Sequence, residues 1–425
     1  MTFTLLCLFA VGLILGFPIA ICLGLSSAIT ILVHDLPFTV VAQRSVNALD
    51  STPLLAVPLF IFAAALLSAT GVTNHLFDLT RMIVGRVRGG VAQVNVLVSL
   101  IFSGMSGAAL ADIGALGGIQ IKMMEQQGYV RRFAAGTTIA AATIGPIFPP
   151  SIPLIIFASA AEVSAVRALL AGVVPALVVT AALMVQIAIM ARLGNLPRDT
   201  HRPTLPEFGR KLTVSLPALL APVLMIAGLL SGVLGPTEVA GAIVAYSIII
   251  GIVFYRSLTA QSFFTAARES VEASANILFI VGTAALFAWV LTIGGVPAMA
   301  GQWLLGVSTD PLMLLLILNV LLLGAGMFLE SIAAILIIAP IVAPTLLMAG
   351  VPAEQLGVVF VLNLMIGLLT PPIGMSLYMV SIITRMEFGQ VVRGVLPFYV
   401  PLFVALIVVT LFPGLSTWLP NLIMQ

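Results

Sequence analysis

The chain has 425 residues, 61% hydrophobic and 8% charged, with a formal net charge of +2. Soluble domains carry roughly 25% charged residues, so this composition excludes a water-covered globular protein, and so small a net charge gives no basis for binding nucleic acid. What remains is an integral membrane protein, because apolar runs recur at the length of about 20 residues that crosses the ~30 Å hydrocarbon layer of the lipid bilayer.

In chain order, hydropathy predicts crossings at 3–33, 52–70, 133–158, 168–191, 213–234, 237–255, 273–294, 355–384 and 395–413. No basic segment precedes the first run, which extends beyond the about 7–15 residues of a signal-peptide core, so it is expected to stay in the protein. Cys7 and Cys22 fall within it as small apolar residues. The stretches 91–120 and 311–349 are apolar but interrupted by Gly and Ser, and they are read as re-entrant hairpins.

Charge placement tests this layout. With the N-terminus cytoplasmic, the C-terminus periplasmic and each hairpin returning to its own side, only Arg44 and Arg167 of the 17 Lys and Arg residues fall outside. Such a bias obeys the positive-inside rule of an inner-membrane protein. A hairpin that crossed fully would reverse every later loop and destroy it.

Two of the crossings contain a double proline, Pro149-Pro150 in "GPIFPP" and Pro371-Pro372 in "GLLTPP". The pairs lie 222 positions apart, as do Gly145 and Gly367, and Gly104 and Gly326. Arg44 with Arg268, and Gly71 with Gly295, match at an offset of 224. The expected fold is therefore an all-α polytopic membrane protein of two inverted-topology repeats, each with a re-entrant helical hairpin and a Pro-Pro-broken transmembrane helix. The first repeat is expected over 1–193, a cytoplasmic linker and connecting helix over 194–236, and the second repeat over 237–425.

A proline inside a helix costs ~3 kcal/mol or more, and backbone groups left unpaired in lipid cost several kcal/mol each. Something must satisfy the freed groups, and broken helices at mid-membrane are a signature of secondary transporters. Freed carbonyls suit a hard cation such as Na⁺. The hairpin tips add Ser103 and Ser106 in "FSGMSGAALAD" and bare backbone at Gly324 and Gly326 in "GAGMFLES". A carboxylate substrate would accept hydrogen bonds from the same hydroxyls.

"PPSIP", "TPPIG", "SGMSGAALAD" and "VVRGVLPF" resemble the large membrane subunit (DctM type) of tripartite ATP-independent periplasmic (TRAP) transporters, across essentially the whole chain. The resemblance implies an elevator-type, Na⁺-coupled importer of small organic acids. Its partners would be a small four-span membrane subunit, here a separate chain, and a periplasmic substrate-binding protein. It also implies one Na⁺ among Ser103, Ser106, Gly145, Phe148 and Pro150, and another among Gly326, Gly367, Thr370 and Ile373. Ser103, Ser106 and Thr370 would contact substrate. Ala108 stands where the family often has a serine, which removes one hydroxyl from the tip.

Of the acids in or near apolar runs, Asp50, Glu238 and Glu272 sit at span ends, whereas Asp112 and Glu330 lie on the returning arms of the hairpins and suit either a structural or a coupling role. A stand-alone ion-coupled symporter of the same architecture is the alternative, and a channel a more distant one. "GMSG" at 104–107 matches the motif of intramembrane serine proteases, but such a nucleophile needs a nearby His, and His34, His75 and His201 all fall in predicted loops. The chain has no phosphate-binding loop, so ATP is not expected to drive it.

Overall fold

The computed structural model describes residues 1–194, 196–198 and 204–423, with the side chains of 73, 74, 103–106 and 115 outside the described set. Among the described residues the regular structure is helical throughout. Among the described residues, seven helices are long and apolar enough to cross a membrane.

The first apolar run departs from expectation. It is two helices, Thr2–Ile14 and Ile19–Val33, joined by a turn in which Gly16 takes φ +78. Thr4 Oγ1 lies 3.4 Å from His34 Nε2, and a Cβ on Gly12 would stand 3.0 Å from Cys22 Sγ, so the helices run antiparallel. A straight helix over 3–33 would be about 46 Å long, well beyond the ~30 Å layer. The sequence "GFP" at 16–18 is where it folds back. Both ends of the pair thus lie together, and the expected cytoplasmic N-terminus, which rested on counting one crossing here, loses its parity argument. Charge was blind to this error, because no Lys or Arg precedes Arg44.

An amphipathic helix, Thr39–Leu49, leads into Thr52–Ala69. Both pack against Ala260–Ile293, a 34-residue helix that begins well before the predicted 273. Leu205–Leu230 likewise starts ahead of the predicted 213, inside what composition suggested was linker. Thr204 caps its first turn by accepting from Glu207 N at 3.4 Å.

Both hairpins form. The arms of the first are Gly90–Ser106 and 109–126, the latter containing a π-helical turn at Ile113–Gly117. Gln120 Nε2 donates to Ser99 Oγ (3.4 Å) and Asn95 Nδ2 to Met124 Sδ (3.4 Å), pairing the arms antiparallel. Gly89 N and Tyr129 OH both donate to Pro197 O at 2.9 Å, so the two ends of this hairpin hang from one carbonyl. The second comprises Pro311–Gly326 and Ser331–Met348. Its ends also meet, since a Cβ on Gly350 would lie 4.0 Å from Pro311 Cγ.

The interrupted helices occupy the centre. Arg131–Ala142 resumes as Ile152–Ala160, and Ala353–Leu368 resumes as Met375–Thr384. Every residue from Glu354 to Leu368, and from Phe133 to Ala142, is buried. The first break is therefore wrapped in protein, a setting in which irregular backbone is tolerated at membrane depth, whereas in the second Pro372 and Ile373 are exposed.

Candidate functional site at the hairpin tips

Each break is built by its own sequence. Both Pro-Pro bonds are cis. After the first, Ser151 starts the new helix: its Oγ donates to Pro146 O and accepts from Leu154 N at 3.0 Å. After the second, Gly374 at φ +56 caps Met375–Thr384. Thr370 is fastened at both ends, with N donating to Gly367 O at 2.8 Å and Oγ1 to Ile366 O at 2.8 Å. Tyr399 OH donates to Leu369 O.

Each hairpin tip lies on the break of its own half. A Cβ on Gly107, whose φ is +64, would stand 2.0 Å from Pro150 O, and Ile152 N donates to Gly107 O at 3.4 Å. In the other half a Cβ on Gly367 would stand 2.5 Å from Gly326 Cα, so the two backbones touch. Both contacts admit only glycine. Below the tips a polar pair joins arm to broken helix in each half: Asn95 Nδ2 donates to Thr138 Oγ1 (2.8 Å), and Asn363 Nδ2 to Asn319 Oδ1 (2.6 Å). Asn319 in turn donates to Thr410 Oγ1 at 3.0 Å.

The two halves then meet. A cavity of about 50 Å³ is lined by Ala108, Ala109 and Leu110 of the first tip and by Glu330, Ser331 and Ile332 of the second. Pro146, Ile152, Pro153 and Leu368 of the breaks complete it. Among the described residues no hydrogen bond reaches the carbonyl oxygens of Gly145, Phe148, Pro150, Thr370 or Ile373, whereas that of Gly367 is used by Thr370 N. Ser103 and Ser106, predicted as ligands, have side chains outside the described residues.

Glu330 has a definite structural task. Its Oε2 accepts from Ile332 N (2.8 Å) and Ala333 N (3.2 Å), and its Oε1 from Ser331 Oγ (2.8 Å), so it caps the returning arm. Asp112 is 6% exposed and faces a second, larger cavity of about 720 Å³. That cavity runs from Ala108 at the first tip and Ile152 at the first break, past Ser68, to Gln261, Ser262, Thr265, Glu269 and Ser270 on Ala260–Ile293. These last five were missed by sequence reasoning. Their spacing was the available signal, since positions 261, 262, 265, 269 and 270 share one helical face.

The two arginines that broke the charge rule are both engaged. The Arg44 guanidinium lies over the Trp289 ring at 5.5 Å, and Arg167 pairs with Glu354 and donates to Asn421 Oδ1.

Comparison with known proteins agrees with this architecture. The YdaH transporter of Alcanivorax borkumensis superposes with a TM-score of 0.66 at 16% identity, covering 89% of this chain and 88% of that one. The sialic acid TRAP transporter large permease protein SiaM of Vibrio cholerae is 38% identical over 96% of this chain and 95% of its own length. The C4-dicarboxylate TRAP transporter large permease protein DctM of Pseudomonas aeruginosa is 38% identical over 94% of this chain and 93% of its own length. These relatives are named as transporter permeases, not enzymes. The description "Tripartite ATP-independent periplasmic transporter, DctM component" matches residues 6–415. With that match spanning nearly the entire chain, the protein belongs to the DctM family of TRAP transporter large permeases.

Proposed function

We propose that this chain imports a small organic acid across the bacterial inner membrane by Na⁺-coupled secondary transport. A periplasmic binding protein delivers the substrate, and a separate four-span membrane subunit braces the chain. The observation that carries this reading is the meeting of two hairpin tips and two interrupted helices around one cavity, together with five carbonyl oxygens in the interrupted segments that accept no hydrogen bond among the described residues. Main-chain oxygens of that kind suit a hard monovalent cation.

Electrostatics supports the coupling. The larger cavity presents the carboxyl groups of Asp112 and Glu269 and, among the described residues, no Lys or Arg. An organic anion entering alone meets like charge in a low-dielectric space. A cation bound beside it removes that penalty, so substrate and Na⁺ favour each other's binding. Relatives named for sialic acid and for C4-dicarboxylates support an organic acid as cargo.

The antiparallel pair at the N-terminus supports a revised topology. Thr2–Ile14 and Ile19–Val33 correspond to Leu205–Leu230 and Pro236–Ile249, which gives each repeat five passages. An odd number inverts the second copy without any connecting helix between them. Gly71 and Gly295 support the pairing, both opening a helix at φ +74, ψ +11. Both termini then face the periplasm, and the 720 Å³ cavity, lined by Thr259 and Gln261, opens inward. Transport follows an elevator scheme, in which hairpins and broken helices shift as a block against Thr52–Ala69 and Ala260–Ile293.

Co-reconstitution with the two partner chains and an imposed Na⁺ gradient tests this reading. Uptake should rise steeply with inward Na⁺ and collapse when an ionophore dissipates it. Uptake that ignores the gradient overturns the coupling.

A further inference from the structure

On the end of the molecule that the topology above places in the cytoplasm, a cavity of about 560 Å³ opens between Arg131–Ala142, Val173–Gly194 and Phe388–Leu411. Its polar rim carries Arg132 and Arg393, and its walls are apolar, from Phe133, Met190, Leu196 and Pro397. Among the described residues no carboxylate lines it.

Backbone packing forces the two arginines together. A Cβ on Gly394 would stand 2.1 Å from Arg132 O, and one on Gly136 would stand 1.9 Å from Gly394 O. The helices therefore touch main chain to main chain, as small residues allow in membranes, and Arg132 and Arg393 flank that contact. Neither guanidinium has an ion pair among the described residues, whereas the adjacent Arg131 pairs with Glu125 at 2.9 Å and donates to Thr384 O at 2.6 Å. Two like charges held side by side repel each other unless an anion lies between them. Guanidinium forks match phosphate oxygens two at a time.

We propose that this cavity binds the headgroup of an acidic phospholipid from the inner leaflet. The phosphodiester bridges Arg132 and Arg393, and the acyl chains leave along the apolar wall of Met190, Leu196 and Pro397. Basic pockets between helices on the cytoplasmic side are suited to such headgroups, and the apolar wall distinguishes a lipid from free phosphate. The depth assignment rests on the proposed orientation, but the lipid contact itself does not depend on what the protein transports.

The test uses the full chain, purified with whatever co-purifies, stripped of lipid in detergent and supplied with mixed micelles of phosphatidylglycerol or of phosphatidylcholine. Native mass spectrometry should show phosphatidylglycerol retained by the wild type and about tenfold less by R132Q/R393Q, as expected for losing two charge-assisted contacts. Arg210→Gln, on the same side but outside the cavity, should retain it fully. Equal retention by the double variant, or equal retention of phosphatidylcholine by the wild type, overturns the proposal. So does inorganic phosphate displacing the lipid at millimolar concentration. A photoreactive phosphatidylglycerol should label the peptides carrying Met190 or Pro397 in the unmutated protein. Labelling confined to other helices overturns it even if the double variant does not fold.

Discussion

Glycine decides the geometry of the site at single-residue scale. Adding one methyl group to Gly367 would bring it 2.5 Å from Gly326 Cα, and backbone cannot yield as a side-chain end can. Gly367→Ala should lower Na⁺-driven uptake by at least about tenfold, equivalent to ~1.4 kcal/mol, while the protein still reaches the membrane. Uptake within twofold of wild type would show that the contact is not needed. Thr370→Ala should raise the Na⁺ concentration for half-maximal uptake, because Thr370 Oγ1 and N hold the carbonyls around it in place. Asn319→Leu removes the acceptor of Asn363 Nδ2 and the donor to Thr410 deep in the protein. It should cost about 1–3 kcal/mol, read as a lowered melting temperature in detergent. At this scale the sequence was partly legible. Pro149, Pro150, Pro371 and Pro372 announced the breaks, because doubled proline in an apolar run has few other uses. The helix-capping task of Glu330 was not visible, since it depends on where the helix restarts at Ser331.

Elements were legible where breaks or charges marked them. Both hairpins and both interrupted helices lie close to their predicted limits, because Gly-Ser interruptions and Pro-Pro pairs are local signals. The first run was misread because both of its helices are uniformly apolar: a turn between two such helices leaves no polar residue to mark it, only "GFP" at 16–18. A consequence can be measured. A protease-cleavable tag at Met1 should be cut from the outer face of spheroplasts, as should one at the C-terminus. Cleavage of the N-terminal tag only after lysis would restore the single-crossing topology. Leu205–Leu230 and Ala260–Ile293 begin ahead of the predicted crossings, because their first turns are polar and carry no hydropathy signal.

For the whole molecule, the apolar composition and the recurring apolar runs made a polytopic all-helical membrane protein legible. The large cavity could not be anticipated, because its walls come from helices about 200 residues apart in sequence, Ser68 on one side and Thr265 on the other. Joining those two positions as cysteines with a short bifunctional thiol reagent, in a background lacking Cys7 and Cys22, should abolish uptake. A cross-linked protein that still transports would show that the gap need not close. That gap has a further meaning in the proposed orientation. There the vestibule opens toward the cytosol, the side on which the proposed cargo and ion would be released. Under the elevator scheme proposed above, a donor protein docked outside would meet a closed face until the block had swung back.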